Sequence, residues 1–300
     1  MNKLQRSIIQ ALAFHDLFNR PLTLDELWHG LYRCSGSKLQ VLLELKKMIA
    51  EKKVFVLGSY YGLDGKETLA KDFINRSILN RDRWLKAYRI INILKRVPFV
   101  KNISIINSLS YDNSNENSDI DILIITKKNR LWTARALTVL LLEIIGQNKN
   151  KWHKAGKFCL GFAFDETRLN LSKIKYRDDI DFTYWLTNLT PVYDKGIYTK
   201  LIESNPWIKG ELPNWEEKKC KIQNAKFRII EKMLSGQQGN RLEKWLTKIQ
   251  INRIWKDPKN KRKEGSVIAD EGMMKLHPYD KRKERFRKWQ VLTKKALEIK

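Results

Sequence analysis

The segment Ser118-Asp119-Ile120-Asp121-Ile122-Leu123-Ile124-Ile125-Thr126 decides how this chain is read. Isoleucine dominates it, and β-branched side chains suit a pleated strand better than a helix. On a strand alternate side chains share a face, so Asp119 and Asp121 project together while Ile120, Ile122 and Ile124 enter the core. Two carboxylates side by side repel each other unless a cation lies between them. Hard oxygen ligands on adjacent sites suit Mg²⁺ bridged to nucleotide phosphates. Calcium binding of the EF-hand type from Asp112 fails, because position six is Asn117 rather than glycine and position twelve is Leu123 rather than glutamate. The metal-binding Asp-x-Asp of a nucleotide-sugar glycosyltransferase fits the two acids but not the turn that precedes them.

That turn follows a second strand-like run, Val100 to Ile106, and consists of Asn107-Ser108-Leu109-Ser110. Backbone N–H groups there, with the Ser108 hydroxyl, are suited to meet a phosphate, and the polar stretch Tyr111 to Asn117 spans the gap to Asp119. A strand ending in Gly-Ser or Gly-Gly, a spacer of about ten residues, then Asp-x-Asp and aliphatic residues is the signature of the polymerase beta-like nucleotidyltransferase superfamily. The chain resembles that family through Ser108, Ser118, Asp119, Ile120 and Asp121, from about Phe99 to Thr126 and less closely to Leu171. The resemblance implies Mg²⁺ or Mn²⁺ held by Asp119 and Asp121, with a nucleoside triphosphate as substrate, cradled by Asn107, Ser108 and Ser118. It also implies a third catalytic carboxylate on the next core strand, Phe158 to Phe164, where Asp165 is the candidate and Glu166 the reserve. One position departs from the family pattern: Asn107 stands where the glycine is usual, adding a side chain where phosphates approach.

Outward from this core, Leu4 to Phe18, Leu24 to Tyr32 and Ser37 to Lys52 carry helical periodicity, with Thr23 as an N-cap ahead of Asp25 and Glu26. Val54 to Gly65 follows as two short strands turning at Gly58-Ser59. The order of these elements resembles a winged helix-turn-helix domain over residues 1–64, a unit that contacts nucleic acid in some proteins and packs on protein in others. Residues 65–97 are expected to form a helical linker, 98–205 what the resemblance implies is a nucleotidyltransferase core with a small mixed sheet, and 206–300 a basic helical region. The expected fold class is therefore α+β and multidomain.

The whole chain has 300 residues with 59 Lys and Arg against 33 Asp and Glu, a formal +26. A bias towards Lys, Asn and Ile supplies part of that charge without any selection for binding. Residues 209–300 alone hold 26 Lys and Arg against 12 Asp and Glu, which makes RNA or DNA a candidate partner of the C-terminal region and of the winged-helix-like domain. Trp215, Trp245, Trp255 and Trp289 lie among these cations at helical spacing and are expected to form apolar seams. Cys34, Cys159 and Cys220 lie in no metal-ligand spacing, and the four histidines form no hydrolase motif. The longest apolar run, Ala136 to Gly146, is too short to span a bilayer and contains Glu143, and no small-residue cleavage site follows the N-terminus, so a cytoplasmic protein is expected. The function these readings imply is transfer of a nucleoside monophosphate from a triphosphate to an acceptor hydroxyl, with RNA as one acceptor class. The competing reading is an inactive relative of the same fold that binds nucleic acid or senses nucleotide.

Overall fold

A computed structural model describes residues 1–150, 152–220, 222–223, 231–232 and 234–298. The fold is mixed α and β, with two sheets. Helix α1 (Lys3–Asp16), strand β1 (Leu22–Thr23), helices α2 (Leu24–His29) and α3 (Lys38–Ala50), and the hairpin β2 (Val54–Leu57) and β3 (Tyr60–Leu63) come first. The side chains of Asn2, Thr23 and Ser37 cap the three helices, each in a reciprocal box with the Gln or Glu three residues on. The hairpin turns at Gly58, whose φ of +60° is the left-handed conformation that a glycine adopts without cost. Strand β3 lies between β1 and β2 in a small antiparallel sheet.

The linker region is two helices, α4 (Glu67–Asn75) and α5 (Ser77–Leu94), broken at Arg76. Next come β4 (Val100–Ile105), the four-residue α6 (Asn107–Ser110), β5 (Ile120–Thr126), α7 (Leu131–Ile144), β6 (Phe158–Asp165), α8 (Ile180–Thr187) and β7 (Thr190–Asp194). After α9 (Tyr198–Glu203), α10 (Trp207–Glu211) and β8 (Ile222–Gln223), the chain forms α11 (Gln237–Lys256), β9 (Ile268–Ala269), β10 (Met273–Lys275) and α12 (Arg282–Glu298). Seven strands make one sheet in the order β8-β7-β4-β5-β6-β10-β9. Within it β5 runs antiparallel to β4 and parallel to β6. The C-terminal region was expected to be helical; it also donates β9 and β10 to the main sheet, with Met273, Met274 and Lys275 opposite Phe164, Ala163 and Phe162. Those strands are too short to leave a period in the sequence.

Strand β5 is buried on both faces. Leu123 and Ile125 join one apolar cluster with Phe162 and Phe164, the aromatic residues of α8, Trp289 and the N-terminal helices. Ile120, Ile122 and Ile124 join the other, with Phe158, Ala163, α7 and Ile254 of α11. The first 64 residues therefore share a continuous core with one face of the sheet. Helix α12 seals that union, its Trp289 indole N–H donating to the Gln10 carbonyl at 2.9 Å and its ring meeting Tyr32 edge-on.

Helix α11 docks on the opposite face through a buried acid. Helix α7 begins without a side-chain cap of its own. Instead Glu243 of α11 accepts from the Trp132 and Thr133 backbone N–H groups, both at 2.8 Å, and from the Thr133 hydroxyl at 2.5 Å. A carboxylate placed on the free donors of a helix start is favoured by hydrogen bonding and by the helix dipole together. Replacing Glu243 with Leu strands three donors away from water, and we expect a loss of about 2–4 kcal/mol in denaturant unfolding, with Glu243→Gln intermediate.

Candidate active site

Asp119 ends the loop before β5 and Asp121 is the second residue of the strand. Their carboxylate oxygens and the Cys159 sulfur all lie within 4.8 Å of one another. The pairing of β5 with β6 explains the third member, because the parallel register sets Cys159 directly opposite Asp121. The expected third carboxylate is elsewhere. Asp165 is opposite Thr126, five residues along β5 and roughly 16 Å from Asp121. A register shift where Ile122 faces Leu160 and Leu123 faces Phe162 leaves Gly161 as an extra residue. Beyond the bulge the faces exchange: Phe162 and Phe164 turn to the side of Asp121, whereas Ala163 joins the cluster on the other side. Asp165 is thus removed from the pair by both distance and face. Its carboxylate instead accepts from the backbone N–H groups of Asn129 at 3.1 Å and Thr167 at 2.9 Å, bracing the turn after β6. Glu166 is at that same end, ion-paired with Lys101 and accepting from the Lys128 N–H at 3.0 Å.

Asn107 occupies the left-handed region at φ +58°, the conformation for which glycine is usual at this turn. Its side-chain amide is used twice: Nδ2 donates to Asp121 Oδ2 at 2.9 Å, and Oδ1 accepts from the Trp185 indole N–H at 3.0 Å. Asn107 therefore ties β5 to α8 across the site. Ser108 lies beside it, its hydroxyl 3.3 Å from that of Ser114 and its carbonyl accepting from Asn113 N–H. Ser118 closes the loop locally with Asn115. Helix α5 holds this loop in place: Arg76 donates to Asn113, Arg83 to the Glu116 carbonyl, Trp84 to Asp112, and buried Asn80 accepts from Ser114 N–H. The linker helix is thus the clamp of the segment that aims Asp119.

Burial, followed by the neighbouring Asp119 charge, raises the Asp121 carboxyl to about 6. Lys149 answers that charge. Its ammonium bonds Asp119 and lies 3.7 Å from Cys159 Sγ. Burial alone would lower the Lys149 pKa, but the bond to Asp119 outweighs it and the pKa rises. Burial and the Asp121 charge push the Cys159 thiol up to about 12, so it is protonated and a poor nucleophile at neutral pH. Nothing in the sequence separated Lys149 from the other cations of its loop.

On the Asp121 face a cleft of about 400 Å³ opens past Asn107, Ser108 and Ser118. Phe162, Trp185 and Tyr279 line it, with the cations Lys275, Lys281 and Arg285 and the acids Asp181 and Asp280. Volume and lining suit a small ligand with a ring and negative charge. His277 also lines this cleft; its Nδ1 is buried without a partner, and burial with nearby Lys275 lowers its pKa to about 4, which keeps it neutral. A larger groove of about 1150 Å³ lies between the N-terminal helices and α5. Its polar groups are engaged within the protein, Arg20 with Glu26 and Lys218 with the Asn188 carbonyl.

No family model matches this chain, and no match is found among curated proteins or solved structures.

The raised Asp121 pKa carries a stability signature. Folding holds a proton on Asp121 between its usual value of 3.8 and about 6, so ionisation above that window costs stability, up to about 3 kcal/mol at neutral pH. Asp121→Asn retains an oxygen for the Asn107 bond and removes that cost. Thermal melts in metal-free buffer are expected to show the variant several degrees more stable at pH 8 and equal to wild type at pH 3.5.

Proposed function

We propose that the protein is a metal-dependent nucleotidyltransferase related to the polymerase beta-like superfamily, moving a nucleoside monophosphate from a triphosphate to an acceptor hydroxyl. The observation that carries this reading is the convergence of Asp119 and Asp121 beside Asn107, which bonds Asp121 and with Ser108 also lines a cleft with aromatic and cationic walls. The donor set fits a divalent cation: two carboxylates raise each other's energy, and a 2+ ion relieves them where the single charge of Lys149 does so in part. Held by Asp119 and Asp121, such an ion would neutralise charge on the transferring phosphoryl group and its leaving pyrophosphate. Ser108 and Ser118 would orient the phosphates, Trp185 and Tyr279 would pack on the base, and Lys275, Lys281 and Arg285 would offset the remaining negative charge. Among the described residues no third carboxylate joins the pair, and Cys159 stands in that place. The N-terminal order of helix, strand, two helices and hairpin supports a winged-helix-like domain there, for which RNA or DNA is the partner we propose. No helix among the described residues is long and apolar enough to cross a membrane, and the cytoplasm is the setting we propose.

A second reading has its own observation. Lys149 occupies the cation position on Asp119, and a thiol stands in the third-ligand place, as expected of a relative that binds nucleotide without transferring it. Transfer of label from each α-labelled nucleoside triphosphate onto RNA, protein and small-molecule fractions, with Mg²⁺ or Mn²⁺, separates the two. Labelled product from wild type that falls at least about a thousandfold in the Asp119→Asn, Asp121→Asn protein supports the enzyme. Metal-dependent nucleotide binding with no product supports the sensor, and neither binding nor product rejects both. Lys149→Met is expected to tighten Mn²⁺ binding about tenfold in a titration without nucleotide, because the competing internal cation is gone.

A further inference from the structure

The sequence led us to expect Trp245 in an apolar seam, yet its side chain is 60% exposed. It stands on the half of α11 that faces away from α7, and every charged residue of that half is basic. Arg241, Lys244, Lys248, Arg253 and Lys256 recur at helical spacing and are all exposed, joined by Ile249 and Asn252. The helix's single acid, Glu243, is buried against the start of α7. Among the described residues none of the five cations makes an ion pair, although twenty ion pairs occur elsewhere in the molecule. The stripe from Arg241 to Lys256 is about 22 Å long. Of the other tryptophans expected in seams, Trp215 and Trp289 are core, each 6% exposed.

We infer that this face of α11 binds single-stranded nucleic acid, its cations meeting phosphates and the Trp245 indole stacking on an unpaired base. Unbalanced cations along a rigid helix recover most on meeting a polyanion, because counterions are released from the strand. An exposed indole among them offers a flat apolar surface of the kind that stacks on bases of any sequence. A membrane surface is the lesser match: an interfacial helix buries a broad apolar face, whereas only Trp245 and Ile249 are apolar on this one. The inference stands on α11 alone and does not depend on nucleotidyl transfer.

The test uses the full chain and a labelled oligo-U of twenty nucleotides, followed by fluorescence anisotropy from 50 to 200 mM salt. Wild type is expected to bind with a log–log salt slope of about −3 to −4, since each neutralised phosphate of a single strand contributes about 0.7. Lys244→Gln with Lys248→Gln should reduce that slope by about 1.4 and weaken binding. Trp245→Ala should weaken it about five- to a hundredfold with the slope unchanged, and Trp245→Phe should restore most of the affinity. A control pair on α4 and α5, Lys71→Gln with Arg89→Gln, should change affinity by less than about twofold, which distinguishes this face from general basicity. All these positions are exposed, so melting temperatures should stay at the wild-type value. The inference is overturned if the α11 variants bind like wild type, if the control pair loses as much as they do, if a duplex of the same length competes as well as the single strand, or if Trp245 fluorescence responds to anionic phospholipid vesicles and not to RNA.

Discussion

Asp119 and Asp121 carry like charge where β5 enters a sheet that buries it on both faces, and much of the surrounding structure answers that constraint. A carboxylate cannot remain ionised there without partners, since desolvation and mutual repulsion act in the same direction and lift Asp121 to about 6. Asn107 donates to one acid and Lys149 bonds the other. The first of these contacts requires the left-handed turn after β4, and the second requires the loop before β6 to double back alongside Phe158. An arrangement that keeps two acids together under such conditions costs stability, and that cost is what the proposed metal site rests on.

The elements around the pair are coupled to it by hydrogen bonds rather than by apolar packing alone. Helix α5 fixes the loop between Asn107 and Asp119 through Arg76, Asn80, Arg83 and Trp84. Helix α8 reaches Asn107 through Trp185, and is itself held to α12 by the pairing of Asp179 with Arg282 and of Asp181 with Arg285. The start of α12 and the strand before it bring the cationic side of the cleft, while the rest of α12 packs on α1. A chain of contacts thus runs from the N-terminal helices through α12 and α8 to the carboxylates.

The basic residues divide in the same way. Those near the cleft are balanced in part by acids: Arg282 by Asp179 and Asp280, Arg285 by Asp181. Those on the outer face of α11 have no such partners among the described residues, and their helix is anchored by its only acid pointing inward. Net charge alone did not predict this difference, because a count of lysines is the same whether or not an acid stands opposite.

Local sequence determined a good deal here. The cap at Thr23, the turn at Gly58, the β-branched run of β5 and the Asp-x-Asp at its start act within a few residues of themselves, so their consequences are legible one segment at a time. What the tertiary structure decided depends on register and on neighbours distant in the chain. One extra residue at Gly161 turned Asp165 to the other face and left Cys159 beside Asp121. Short strands β9 and β10 found their place only by pairing with β6. Lys149 became the counter-ion of Asp119, and Trp245 faced solvent because Glu243 fixed the rotation of α11 against α7. A strand's side chains repeat every two residues, so a single bulge reverses every assignment beyond it, and no pattern within one segment records which strand will lie alongside.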